Sequence, residues 1–343
     1  MKKKKLTFEI ISKYRGFLMG IALLSILIFH YTEDCQIAKY HYDGLIKIYK
    51  ACVGSSGVDI FLLLSGLGLY YSFKKNNNVK EFYKKRFIRV LIPYFLVATP
   101  AILINALAIQ NTGIVAVLKE LSFISLFTEG KVWFWYIFFI CICYLIFPYI
   151  FKVFDTSKDE ITDHQRLITL FTFITLICLM LSLYCKPLFS KTQIFTLRFF
   201  PFIAGVLIGK YSYQKKEIKL EHILLALCGL GCVIFVRNHN VMITRYALFI
   251  LNGCLLFLGI IIFDKLSNLK IHLIISKIVE WFGKYSLEIY LVHVALRKFF
   301  KELGYPTHLL KNEVIFIIIS LVVSLILNKV VNYINKKIEK RTA

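Results

Sequence analysis

Acidic residues are scarce in this chain of 343: 20 Asp and Glu stand against 43 Lys and Arg, a formal net charge of +23. Proline is scarce too, at 6, and no low-complexity stretch offers a linker between domains. The sequence holds no glycine-rich phosphate-binding loop, no internal repeat and no soluble segment long enough to fold alone. Gly and Pro interruptions do not recur in corresponding places of two halves, which argues against a transporter built on paired broken helices. A small-x-small cleavage site is also missing. After Phe29 come His30, Tyr31 and Thr32, so residues 1–35 are not expected to be a cleaved signal peptide.

Apolar residues are what the chain has in abundance. They make up 58% of it, 16% of the chain is aromatic, and the mean hydropathy is +0.68. Soluble domains sit near 45–50% apolar, so the excess calls for a bilayer. Helical spans need about 20 mainly apolar residues. They are expected over 14–33, 54–73, 90–109, 132–151, 167–184, 194–210, 222–237, 244–263, 279–299 and 312–333. The expected fold is thus all-α and integral to the membrane, with about ten transmembrane helices in one bundle and a single domain over 1–343.

The charge distribution sets the orientation. Lys2 to Lys5, Lys74–Arg89, Lys152–Arg166, Lys210–Lys219, Lys265–Lys284 and Lys329–Arg341 alternate with poorly basic segments and, with Lys13 and Arg15, hold 29 of the 43 basic residues. Cytoplasmic loops are enriched in Lys and Arg, so both termini are expected inside. The same rule accounts for the net charge without nucleic acid. Six cysteines, among them Cys141 and Cys143, fall in apolar runs, where Cys acts as a small hydrophobe. Two residues apart on a helix they point in different directions, and no metal site is expected.

Ionisable groups inside spans are costly and mark function. Four stand out: His30, Asp59, Glu288 and His293. At ~1.5 Å rise per residue, His30, Asp59 and His293 share a layer toward the outer face, with Glu288 ~7.5 Å deeper. An imidazole in such a layer suits general base catalysis on a hydroxyl, with a carboxylate to fix its tautomer. Helix-packing contacts between buried polar groups are the alternative. Ser286, Tyr290 and His293 share one helical face, from which Glu288 points away. At the other side of the membrane, Arg86 and Arg89 are helical neighbours whose guanidinium forks suit phosphate oxygens, although positive-inside topology alone also explains them. Trp133 and Trp135 read as interfacial belt residues. Glu33, Asp34, His41 and Asp43 cluster on the first outside loop, a candidate acceptor cleft. Cys35 and Cys52 share that side and are candidates for a disulfide. Gly205 and Gly209 have the small-xxx-small spacing of helix packing.

Several segments in order resemble the membrane acyltransferase 3 family: an apolar run ending in Phe29-His30; Gly57-Val58-Asp59-Ile60-Phe61 through Ser65-Gly66; Arg86-Phe87-Ile88-Arg89 followed by Pro93-Tyr94; Pro201 to Tyr211; and Gly283 to His293. The resemblance runs from about Tyr14 to Asn332. It implies transfer of an acyl group, acetyl being the expected one, from an acyl-CoA-type donor to a hydroxyl of an envelope or exported carbohydrate. His30 would carry the chemistry, as base or as transient acyl carrier, and Arg86 and Arg89 would lie near the donor. Acyl-CoA would be a co-substrate, with no permanently bound cofactor and no nucleic-acid partner, and the protein would be a multi-pass protein of the plasma (inner) membrane. The family often has Arg eleven residues before the His. Met19 stands there, and Arg15, one turn earlier on roughly the same face, is the candidate substitute. A transporter or flippase of a lipid-linked glycan or small anion is the competing expectation.

Overall fold

A computed structural model describes residues 5–41, 44–236 and 238–342, with side chains left aside at 51–52 and 339–342. Among the described residues the chain is helical throughout and pairs no strands beyond the single bridge Thr7–Glu217. The helices used below are α1 (Arg15–Ile37), α2 (Gly57–Lys75), α3 (Val79–Leu103), α4 (Trp135–Asp155), α5 (Glu160–Tyr184), α6 (Phe199–Tyr213), α7 (Val241–Lys265), α8 (Lys270–Lys284), α9 (Ser286–Glu302) and α10 (Leu310–Thr342).

Seven helical stretches among the described residues are long and apolar enough to cross a membrane: Arg15–Ile37, Val79–Ile109, Trp135–Asp155, Glu160–Tyr184, Lys186–Tyr213, Val241–Lys265 and Leu310–Ile338. Each coincides with an expected span. The other three expectations land on helices of a different kind. α2 has the length but carries Asp59, Lys74 and Lys75, and its apolar residues face protein rather than lipid. Leu220–Phe235 is short and tightens into a 3-10 turn at Leu230. The span expected at 279–299 is two helices, α8 and α9, broken at Tyr285, where φ −104 and ψ 16 leave the helical region.

α1, α2 and α6 form the inner layer. Their approach is set by missing side chains. A Cβ on Gly205 would lie 2.0 Å from the Leu63 carbonyl oxygen, and one on Gly66 would lie 2.4 Å from that of Phe202. α2 and α6 therefore touch backbone to backbone, as small residues permit in membranes. Gly283 does the same against Gly16 across α8 and α1, at 2.1 Å.

One buried ion pair ties α5 and α6 to the end of α4. Lys210 Nζ donates to both oxygens of Asp163, at 2.8 and 2.9 Å, and to the carbonyls of Phe154 and Ser157. Every donor of the ammonium is used, which is the condition under which a buried charge is tolerated.

α3 contains Pro93 and Pro100 and runs on into a π-helical turn, Ile104–Ile109. Proline disturbs regular helix pairing, and wide turns of this kind recur at functional sites. Here the turn carries Asn105, which lines a cavity described next.

Candidate active site

Three cavities follow one another through the inner helices. The first, about 1020 Å³, opens at the basic end between α1, α3, α8, α9 and α10, and is lined by Lys13, Arg15, Lys84, Lys85, Arg89 and Glu288 among others. The second, about 260 Å³, shares Arg15, Met19, Arg89, Ser286 and Leu287 with the first and adds Arg86. The third, about 340 Å³, shares Ile26, Val58 and Tyr290 with the second and is lined by His30. Ser286 and Leu287, the first residues after the break at Tyr285, lie at the junction of the first two cavities.

The narrow middle cavity is an arginine throat. Arg15 Nε donates to the Leu64 carbonyl at 3.0 Å. Gly68 makes room for its guanidinium, since a Cβ there would lie 2.7 Å from a terminal nitrogen. Arg86 sits 5.8 Å from the Phe82 ring centre. Three guanidiniums around one cavity suit an anionic, phosphate-bearing group.

In the third cavity the His30 ring stacks on His293, 5.4 Å between centroids and 3° from parallel. His293 is fully buried, and its Nε2 lies 3.7 Å from Glu313 Oε1. His30 Nδ1, both His293 nitrogens and both Glu313 oxygens have no hydrogen-bond partner among the described residues. Nearby, Asp34 accepts from Arg297 Nε at 2.9 Å and from Lys301 Nζ at 2.6 Å, and Arg297 also holds Glu33. Glu120, on the short helix Gly113–Leu121, closes one side. Burial raises its carboxyl above the ordinary glutamate value, with Lys131 opposing.

Residues 17–330 match the family of the acyltransferase domain. The chain belongs to the acyltransferase 3 family. No curated protein and no solved structure matches it. The family membership makes the protein a membrane acyltransferase, in keeping with the apolar helices.

In this acyltransferase, the residues singled out from sequence fall into the cavity series as follows. Arg15, Arg86 and Arg89 come together in the throat, with Met19 beside them. Ser286 lines the first and second cavities, Tyr290 the second and third. Glu288 points into the first, where Asn328 donates to it at 2.8 Å. His30 and His293 meet face to face. The carboxylate of Asp59 is bonded instead to Arg198, at 3.2 Å. Trp135 is more than a belt residue, because the Arg198 guanidinium stands 5.2 Å over its ring. Trp133 donates to the Val294 carbonyl at 3.1 Å. Cys35 is a free thiol facing the His308 carbonyl; the Cys52 side chain and Asp43 lie outside the described residues.

Sequence reasoning missed Arg198, Arg245, Arg297 and Glu313. Three of these are basic residues near the ends of expected spans, where a long side chain that can reach the interface draws no attention. Glu313 was hidden by its place at the head of α10, where a carboxylate is ordinary.

Proposed function

We propose that this acyltransferase moves an acyl group, expected to be acetyl, from an acyl-CoA-type donor to a hydroxyl of an envelope or exported carbohydrate, working in the plasma (inner) membrane with both termini in the cytoplasm. The observation that carries this reading is the series of adjoining cavities, each sharing lining residues with the next, from the basic end through the arginine throat to His30. The donor enters at the basic end, its phosphates facing Arg15, Arg86 and Arg89. Its thioester reaches forward toward Tyr290. The acceptor enters the third cavity.

His30 acts as the base. It takes the proton of the acceptor hydroxyl as that oxygen attacks the thioester carbonyl carbon. The tetrahedral centre collapses with cleavage of the carbon–sulfur bond, and the thiolate leaves and recovers the proton. Arg15, one turn before Met19, fills the place of the family's usual Arg. Its position in the same cavity as Arg86 and Arg89 supports that exchange.

The test is mass spectrometry of surface glycans in strains carrying the wild-type chain or His30→Ala at equal membrane abundance. Loss of one acyl mass increment from a surface carbohydrate is expected. Full acylation with His30→Ala would overturn the reading, and loss of the glycan itself would favour a transporter.

A further inference from the structure

The cations around the third cavity are unequally matched. Arg297 and Lys301 are held by Glu33 and Asp34. Lys298 is bonded to Glu302. Lys131 lies 3.1 Å from Glu129 and 3.8 Å from Glu120. These four cations thus face five carboxylates.

Arg198 and Arg245 are different. Arg198 reaches Asp59 at 3.2 Å and Ser55 Oγ at 3.0 Å, and Arg245 donates to the same Ser55 Oγ. Asp59 is the one carboxylate bonded to Arg198 among the described residues, and no ion pair joins a described carboxylate to Arg245. Arg198 is only 2% exposed, and its Nε has no hydrogen-bond partner among the described residues. Both guanidiniums line the cavity that His30 lines.

A buried guanidinium, Arg198, beside a half-buried one, Arg245, with one carboxylate for the two, carries an uncompensated positive charge, which is costly unless an anion completes the set. A guanidinium fork accepts carboxylate or phosphate oxygens with defined geometry. Trp133 and Trp135 line the same cavity, one face of each indole being covered, by Phe134 and by the Arg198 guanidinium, and what remains of their apolar surface suits a sugar ring.

We propose that Arg198 and Arg245 form an anion subsite for the acceptor, so that the acceptor is an acidic carbohydrate bearing a carboxylate or phosphate close to the hydroxyl that is acylated. This rests on the acyl-transfer reading above and adds the substrate class to it. Asp59 holds Arg198 in place, and Ser55 Oγ accepts from both guanidiniums, until the acceptor's anionic group arrives. The donor's phosphates do not use this subsite, because three other arginines line the throat nearer the basic end.

The experiment measures binding to the full-length chain purified in detergent, with matched probes: trigalacturonate against its methyl ester for the carboxylate, and glucose 6-phosphate against glucose for the phosphate. A charge-assisted hydrogen bond is worth roughly tenfold in affinity or more. At least one anionic probe is expected to bind about tenfold more tightly than its neutral partner, and the pair that discriminates tells carboxylate from phosphate. Arg245→Gln should erase the preference and Asp59→Asn should enlarge it. Opposite directions from two substitutions in one cluster separate recognition from misfolding. Lys186→Gln, a surface cation outside the cavities, should leave the preference intact.

Equal or absent binding of both members of both pairs overturns the proposal, as does a preference that survives Arg245→Gln. Displacement of the anionic probe by coenzyme A would assign the subsite to the donor and overturn it too. His30-dependent acylation of a neutral glycan, by contrast, would leave the acyl-transfer reading standing and remove only this inference.

Discussion

The imidazole of His30 lies flat against that of His293, 5.4 Å between centroids and 3° from parallel. A ring held by stacking leaves its nitrogens free of the stack, and His30 lines the cavity where an acceptor hydroxyl has room to sit. A positioned base contributes ~10²–10⁴-fold in rate. His30→Ala is therefore expected to lose at least two powers of ten in acyl transfer. His293→Phe, which keeps the stack, should lose less than about tenfold, and His293→Ala should lose more, since an aromatic pair is worth about 0.5–1.5 kcal/mol. Transfer rates in membranes at matched abundance check the order. Equal loss in both His293 variants would show that its nitrogens, beside Glu313, matter more than its shape.

Gly68 and Arg15 make a second test. Gly68→Ala would push a methyl group into the Arg15 guanidinium, 2.7 Å from the built Cβ. The side chain can shift, so the helix should survive. The expected result is a higher donor KM with little change in kcat, in the same direction as Arg86→Gln and Arg89→Gln. An unchanged KM in all three would leave the throat with a topological role only.

Gly205→Ala should behave differently. Its Cβ meets backbone, 2.0 Å from the Leu63 oxygen, so α2 and α6 must separate. Overpacking costs about 1–3 kcal/mol, and a lower melting temperature in detergent is expected. Loss of activity should follow loss of stability instead of preceding it.

Orientation is tested by reporter fusions. Positive-inside asymmetry predicts that fusions within 74–80 and at the C-terminus both report the cytoplasm. An outside signal from either would reverse the direction of donor entry.

The apolar runs of α1, α3, α4, α5, α7 and α10 made most of the helices legible, because a span writes itself as an unbroken stretch of Leu, Ile and Phe. The break at Tyr285 was not legible. Periodicity continues across it, from Trp281 to Leu291, with no proline to mark the interruption. Residue counts placed His30 and His293 at a similar depth, and their rings do meet. Lateral partnership was not readable, because rotation about the helix axis and helix order are set by packing. His30 meets His293, while Asp59 meets Arg198. The arginine throat was half visible: Arg86 and Arg89 by spacing, Arg15 by its face, and their convergence only in three dimensions.

Ile26, Val58 and Tyr290 line both the throat and the His30 cavity. On the proposed reading they are a septum between two aqueous compartments, and the insulation of a hydrocarbon layer ~30 Å thick is reduced there to a few side chains. A membrane voltage falls mainly where the insulator is, and moving one elementary charge through it is worth about 2.3 kcal/mol per 100 mV. The proton that passes from acceptor hydroxyl through His30 to the departing thiolate travels along this steepest part of the field. An enzyme built this way has its chemistry wired to the energised state of the membrane, so that collapsing the potential alters acyl transfer even when donor and acceptor are plentiful.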